Sequence, residues 1–244
     1  MIQSDLIGAL ILFAYYLVAC ALIPMPLKCF TRIPAEVIRK FQHIAYSMSI
    51  FLLLHLFSAW YAAIVASLLL VAVGYPVLLA LERTRWYNRA FADRTTGGGE
   101  FRSSLLAVQA TFAVLITVLW GGLGARWAPV IGVAVMGWGF GDAAAALIGK
   151  WWGRRRVVLR WVDGAKTWEG FISMVVFAAV AITLTLFLYV RLPWYRSLAI
   201  GALAAPLCGI AELVSRRGSD TVVVPIVAAA TIAPLMALFS GVGW

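Results

Sequence analysis

Eight apolar stretches follow one another along the chain, and short segments between them hold most of its charge. They are Leu6–Ile23, Arg39–Phe57, Ala59–Leu81, Leu105–Trp120, Ala128–Ile148, Phe171–Val190, Leu198–Val214 and Thr221–Phe239. A helix needs about 20 mainly apolar residues to cross a bilayer. The pattern predicts an all-α fold, a polytopic integral membrane bundle of about eight transmembrane helices. The second stretch begins amphipathic and becomes apolar. Leu105–Trp120 and Leu198–Val214 are short for a span, so seven helices also fit.

Composition narrows this further. Of 244 residues, 64% are hydrophobic and 12% charged, which excludes an ordinary soluble domain. No polar stretch is long enough for a separate domain, so residues 1–244 read as a single transmembrane domain. Asp5 precedes the first apolar stretch and positive charge only follows it. A secretory signal has the opposite order, so this stretch is expected to remain as a mature helix. Cys20, Cys29 and Cys208 are scattered and read as thiols, not as a zinc site or disulfide framework.

The net charge of +10 is a topology signal in such a chain and does not imply nucleic acid. With the N-terminus outside the cytoplasm, 17 of the 20 Lys and Arg residues fall in cytoplasmic segments and 3 (Arg126, Arg191 and Arg196) on the other side. That asymmetry predicts a multi-pass protein with both termini non-cytoplasmic. Of the acidic residues only Asp5 lies outside; the rest cluster at or near cytoplasmic span ends. Topology does not require this. It suggests one polar site facing the cytoplasm.

Five constellations can carry chemistry there. Glu36, Arg39, Lys40 and His43 share one helix face at about 100° per residue. Thr95 to Gly99 form a flexible turn, and Gly97–Gly99 lead through Glu100 to Arg102, Ser103 and Ser104, where backbone N–H groups and polar donors ahead of a helix suit a phosphate. Gly139-Phe140-Gly141-Asp142 places a carboxylate in an apolar run that ends at Gly149 and Gly153. A membrane carboxylate costs roughly 2.5–3.5 kcal/mol on insertion scales and needs a partner. Packing explains the small residues Ala143, Ala146, Gly149 and Gly153; it does not explain Asp142. Asp163, Lys166 and Glu169 precede the next span, and Glu212 and Asp220 bracket the turn between the last two. Hard oxygen ligands suit Mg²⁺, and Lys and Arg suit phosphate. No Walker A motif or soluble-kinase glycine loop is present.

The order Arg39-Lys40-x-x-His43, Gly141-Asp142-x6-Gly149-x3-Gly153, Lys166-x-x-Glu169-Gly170 and Glu212…Asp220-x4-Pro225 resembles the dolichol kinase, phytol kinase and CTP-dependent diacylglycerol kinase family. That family is related to the phosphatidate cytidylyltransferases. The resemblance spans Glu36 to Pro225. It departs at Asp220-Thr221, where Asp-Asn is common, and at Lys166-Thr167, where Lys-Ser is common. The threonine at 167 keeps a hydroxyl; the one at 221 loses an amide. The resemblance implies transfer of a nucleotide γ-phosphate, often from CTP, to the hydroxyl of a polyprenol, phytol or diacylglycerol.

On that reading Asp142, Glu212 and Asp220 hold Mg²⁺, with Glu169 assisting. Arg39, Lys40 and Lys166 clamp phosphates, and Gly149 and Gly153 allow close approach to the nucleotide. His43 or a carboxylate accepts the hydroxyl proton. All are expected to converge on one cavity below the cytoplasmic interface, and a homo-oligomer is compatible with the sequence. The enzymatic alternative is cytidylyl transfer to a lipid phosphate; a transporter is the non-enzymatic one. Gly-x-Gly-Asp also matches intramembrane aspartyl proteases, but the spans before Asp142 supply no second aspartate.

Overall fold

A computed structural model describes residues 2–84, 87, 99–158, 160, 162, 166–216 and 218–240. The expected turn at Thr95 to Gly98, and Asp163 and Arg217, lie outside the described residues. Among those described, regular structure is helical apart from one isolated antiparallel bridge, Arg156 to Thr167. The chain forms two compact units, Met1–Thr117 and Val118–Trp244.

The first unit holds α1 (Ile2–Leu17), α2 (Pro24–Phe30), α3 (Ala35–His55), α4 (Trp60–Glu82) and α5 (Glu100–Leu115). The first apolar stretch is not one regular helix. Its last turn, Val18–Leu22, is π-helical, and Pro24 then opens α2 at a position where a missing N–H is harmless. Helix α5 is likewise continued by a π-helical segment, Ile116–Gly122. Polar side chains tie four helices together inside this unit. Tyr16 and Ser49 hydroxyls lie 2.8 Å apart, Gln109 donates to the Tyr16 hydroxyl, and Ser67 donates to Gln109 Oε1 at 2.6 Å. All four residues are buried. Between helices in a bilayer such groups satisfy one another, since lipid offers them nothing.

The second unit holds α6 (Ala128–Trp152), α7 (Trp168–Leu188), α8 (Trp194–Val214) and α9 (Asp220–Ser240). Helix α6 packs on α7 and α9, and α8 packs on both α7 and α9. Small residues permit this. A methyl group at Gly141 would lie 2.6 Å from Met174 Sδ, and one at Gly137 would lie 2.8 Å from Ile182. On α8 a methyl group at Gly201 would lie 2.3 Å from Thr183 Oγ1. These distances are those of backbones drawn together through small-residue stripes.

Six helical segments among the described residues are long and apolar enough to cross a membrane: Trp60–Glu82, Glu100–Gly122, Ala125–Trp152, Trp168–Leu188, Trp194–Val214 and Asp220–Phe239. The protein is therefore a polytopic helical membrane bundle. The other two predicted windows also become helices. Helix α1 is short, and α3 has the length but opens with Glu36, Arg39, Lys40 and His43.

Candidate functional site

Apart from Arg126, Arg191 and Arg196, the charged residues described in the second unit lie in the C-terminal half of α6, in the segment between α6 and α7, at the start of α7, at or just past the end of α8 and at the start of α9. Asp142 lies in the C-terminal half of α6, followed by Ala143–Ala145 with equally small exposure, and is itself only 5% exposed. After Gly153 the chain turns and pairs with the residues that precede α7. Val157 N–H donates to Lys166 O at 2.9 Å, and Trp168 N–H donates to Arg155 O at 2.9 Å. Thr167 Oγ1 accepts from Gly170 N–H at 3.2 Å and so caps α7. Both carboxylate oxygens of Glu169 accept from the Arg155 N–H, each at 3.3 Å.

This short ladder sets the direction of Lys166. Its ammonium donates to the main-chain oxygen of Glu212 and lies 2.8 Å from Glu212 Oε1. Glu212 stands in the last turn of α8, where the carbonyl ends of the helix already favour a cation. Gly218, at φ +82°, then turns the chain into Asp220, the first residue of α9.

Several sequence-derived assignments take a different form here. Among the described residues no three His, Cys, Asp or Glu side chains are gathered as a metal-binding group. Asp142, Glu212 and Asp220 are therefore not assembled as one ligand set. Glu212 is engaged by Lys166, and Glu169 by a backbone amide. Gly149 and Gly153 face protein: a methyl group at Gly153 would lie 2.8 Å from Thr167 Oγ1, and one at Gly149 would lie 3.4 Å from Gly170 Cα. That packing gives both glycines a structural role.

The first unit carries its own charged cluster. Glu36 and Lys40 are buried, and Arg39 and His43 are half-buried. Arg39 donates to Glu36 and, at 3.1 Å, to Glu100 Oε1 at the start of α5. Glu82, which ends α4, receives the Gly99 N–H at 2.9 Å and lies 2.8 Å from Arg102 Nε. Arg102 also donates to the Tyr75 hydroxyl at 3.0 Å and lies over its ring. Gly99 has φ +102°, a conformation that glycine adopts without strain. Sequence reasoning gave Glu82 and Tyr75 no role; a glutamate ending a span just ahead of a glycine run was the available signal. His55 is satisfied locally, its Nδ1 lying 2.8 Å from Phe51 O.

These features define a class: a polytopic helical membrane protein with a buried carboxylate inside a span and Lys–Glu and Arg–Glu pairs at helix ends. No family model matches the chain, and no solved structure matches it. It is 30% identical over 221 residues to the phytol kinase of Synechocystis sp., a match covering 87% of this chain and 85% of that relative. The chain belongs to the phytol kinase family.

Proposed function

We propose that the protein is a lipid kinase that transfers the γ-phosphate of a nucleotide, CTP, to the hydroxyl of a membrane isoprenoid alcohol such as phytol. Membership of the phytol kinase family is the observation that carries this reading. The second unit suits it chemically: Lys166 offers phosphate a cation held in place at the end of α8.

Mg²⁺ bound with substrate phosphates uses only one or two protein carboxylates. Asp142 and Asp220 supply such oxygens from two helices that pack on each other. The donor chemistry therefore fits the ion, with Asp142 and Asp220 as its holders. Once bound, Mg²⁺ would neutralise the charge that develops on the transferred phosphoryl group. Lys166 binds the nucleotide phosphates; Arg39 and Lys40 are proposed as phosphate binders from the motif they share with the family and from their charge alone. His43 or one of the carboxylates takes the proton of the lipid hydroxyl.

The lipid alcohol approaches through the bilayer and the nucleotide from the cytoplasm. We assign eight spans to residues 1–244 acting as one catalytic domain, with both termini non-cytoplasmic, on the strength of the 17-to-3 division of basic residues.

The test is label transfer. Purified protein is incubated with Mg²⁺, CTP labelled at either the α- or the γ-phosphate, and either phytol or its monophosphate. Label reaching lipid from the γ position supports the kinase. Label from the α position would mean cytidylyl transfer, and none from CTP or ATP across polyprenol, phytol and diacylglycerol overturns the reading.

A further inference from the structure

We infer that Glu212 is a positioning residue for Lys166: it holds the ammonium where a nucleotide phosphate can take it, and is not itself a metal ligand. This rests on the lipid-kinase reading. The observation behind it is the double contact of Lys166 with one residue, through the Glu212 main-chain oxygen and Oε1 at 2.8 Å. A lysine side chain is long and flexible, and its ammonium is a point charge with three donors. One acceptor would leave it swinging. Two acceptors on one rigid helix turn fix it, and a donor remains for a third partner.

The loop side is equally fixed. Lys166 O accepts from Val157 N–H, Thr167 caps α7, and Glu169 accepts from Arg155 N–H. The stem of Lys166 is held by that ladder and its head by α8. Glu212 and Lys166 are both largely buried, at 13% and 19% exposure. A half-buried ion pair of this kind adds little net stability against an apolar pair. Fixing a cation for an anionic ligand gives it a purpose that packing does not.

The two roles open to Glu212 part company in Glu212→Gln. Glutamine keeps the acceptor that Lys166 needs and loses the charge that a metal needs. The experiment compares wild type, Glu212→Gln, Glu212→Ala, Lys166→Gln and the double variant Lys166→Gln/Glu212→Gln as full-length purified protein in detergent. CTP-induced thermal stabilisation is measured without lipid, and the Mg²⁺ dependence of phosphorylation with lipid.

A positioning role predicts that Glu212→Ala weakens CTP binding roughly ten-fold or more and Glu212→Gln only a few-fold, in line with loss or weakening of a charge-assisted hydrogen bond. It predicts that the Mg²⁺ concentration for half-maximal rate stays put in Glu212→Gln. The double variant should bind CTP no worse than Lys166→Gln alone, because Glu212 acts through Lys166; it also removes both buried charges together, so its fold is not left with one unpaired. A shift of roughly ten-fold or more in Mg²⁺ dependence for Glu212→Gln, or additive losses in the double variant, overturns the inference and makes Glu212 a metal ligand. CTP binding that is the same in all five proteins overturns it as well, while leaving the kinase reading intact if lipid is still phosphorylated. Wild-type protein that neither binds CTP nor phosphorylates lipid ends both.

Discussion

Arg39 on α3 is held between two carboxylates, Glu36 one turn before it and Glu100 at the start of α5, with its guanidinium 3.1 Å from Glu100 Oε1. It thus fastens two helices that are 61 positions apart in sequence. Removing it leaves Glu36 buried with a positive partner lost. Arg39→Ala should destabilise the protein by about 2–3 kcal/mol, somewhat less than breaking a fully buried pair because Arg39 and Glu100 are partly exposed. Thermal unfolding in detergent, with and without CTP, checks this. An unchanged melt with weakened CTP response would assign Arg39 to phosphate alone.

Asp142→Asn should abolish phosphorylation, by about 10³-fold or more, as expected when a charge that serves the transition state is lost. Asparagine keeps the shape within the closely packed α6, so the melt should match wild type. Full activity of this variant would remove Asp142 from the site.

Lys40→Ala and Lys166→Ala should each raise the CTP KM about ten-fold, the loss expected for one charged hydrogen bond. Arg155→Ala should stay within about two-fold, as most exposed substitutions do. Arg155 is exposed and serves Glu169 through its main-chain N–H, which alanine retains. Equal losses at all three would point to a diffuse charge effect.

Gly153→Ala should be costly. The new methyl group would stand 2.1 Å from Gly149 O and 2.7 Å from Thr167 Cγ2, both fixed groups. Such overpacking costs typically 1–3 kcal/mol, and here it also disturbs the cap on α7. Gly141→Ala should be milder, since the atoms it meets include the flexible end of Met174. Melting temperatures of the two variants rank them.

Single cysteines at Arg154 and Arg191, both exposed and at opposite ends of α7, should label from opposite sides of the membrane. Arg154 should react with an impermeant thiol reagent only from the cytoplasmic side. The reverse pattern would invert the proposed orientation.

Much of the helical architecture was legible because hydropathy is a local property. Every apolar window became a helix, although Leu6–Ile23 ends in a π-helical turn and α3 begins four residues before its window, at Ala35. Charged residues at a span entry join the helix without appearing in an apolar count. Pairing was not legible. Lys166 and Glu212 are 46 positions apart and Glu82 and Arg102 are 20 apart, and spacing says nothing about which cation meets which carboxylate. The Tyr16, Ser49, Ser67 and Gln109 network was missed for the same reason: each lies in a mainly apolar run, and only packing brings them together. Gly149 and Gly153 read as phosphate-approach glycines from motif order, and motif order did not reveal that they also pack closely against Thr167 and Gly170.

Helix α6 is the most enclosed of the four helices in the second unit, with 78% of its most apolar window buried, and it is also the least apolar of them. Helix α7 is the most apolar, with 33% of its window buried. The ranking inverts the rule for water-soluble proteins because the surrounding medium is oil. A segment destined to face acyl chains must dissolve in them, whereas one wrapped by neighbours is freed from that demand. Glycine, alanine and an aspartate are admissible there for that reason. In this chain the greasiest stretches mark the boundary with lipid, and the mildest one marks where a polar group can survive.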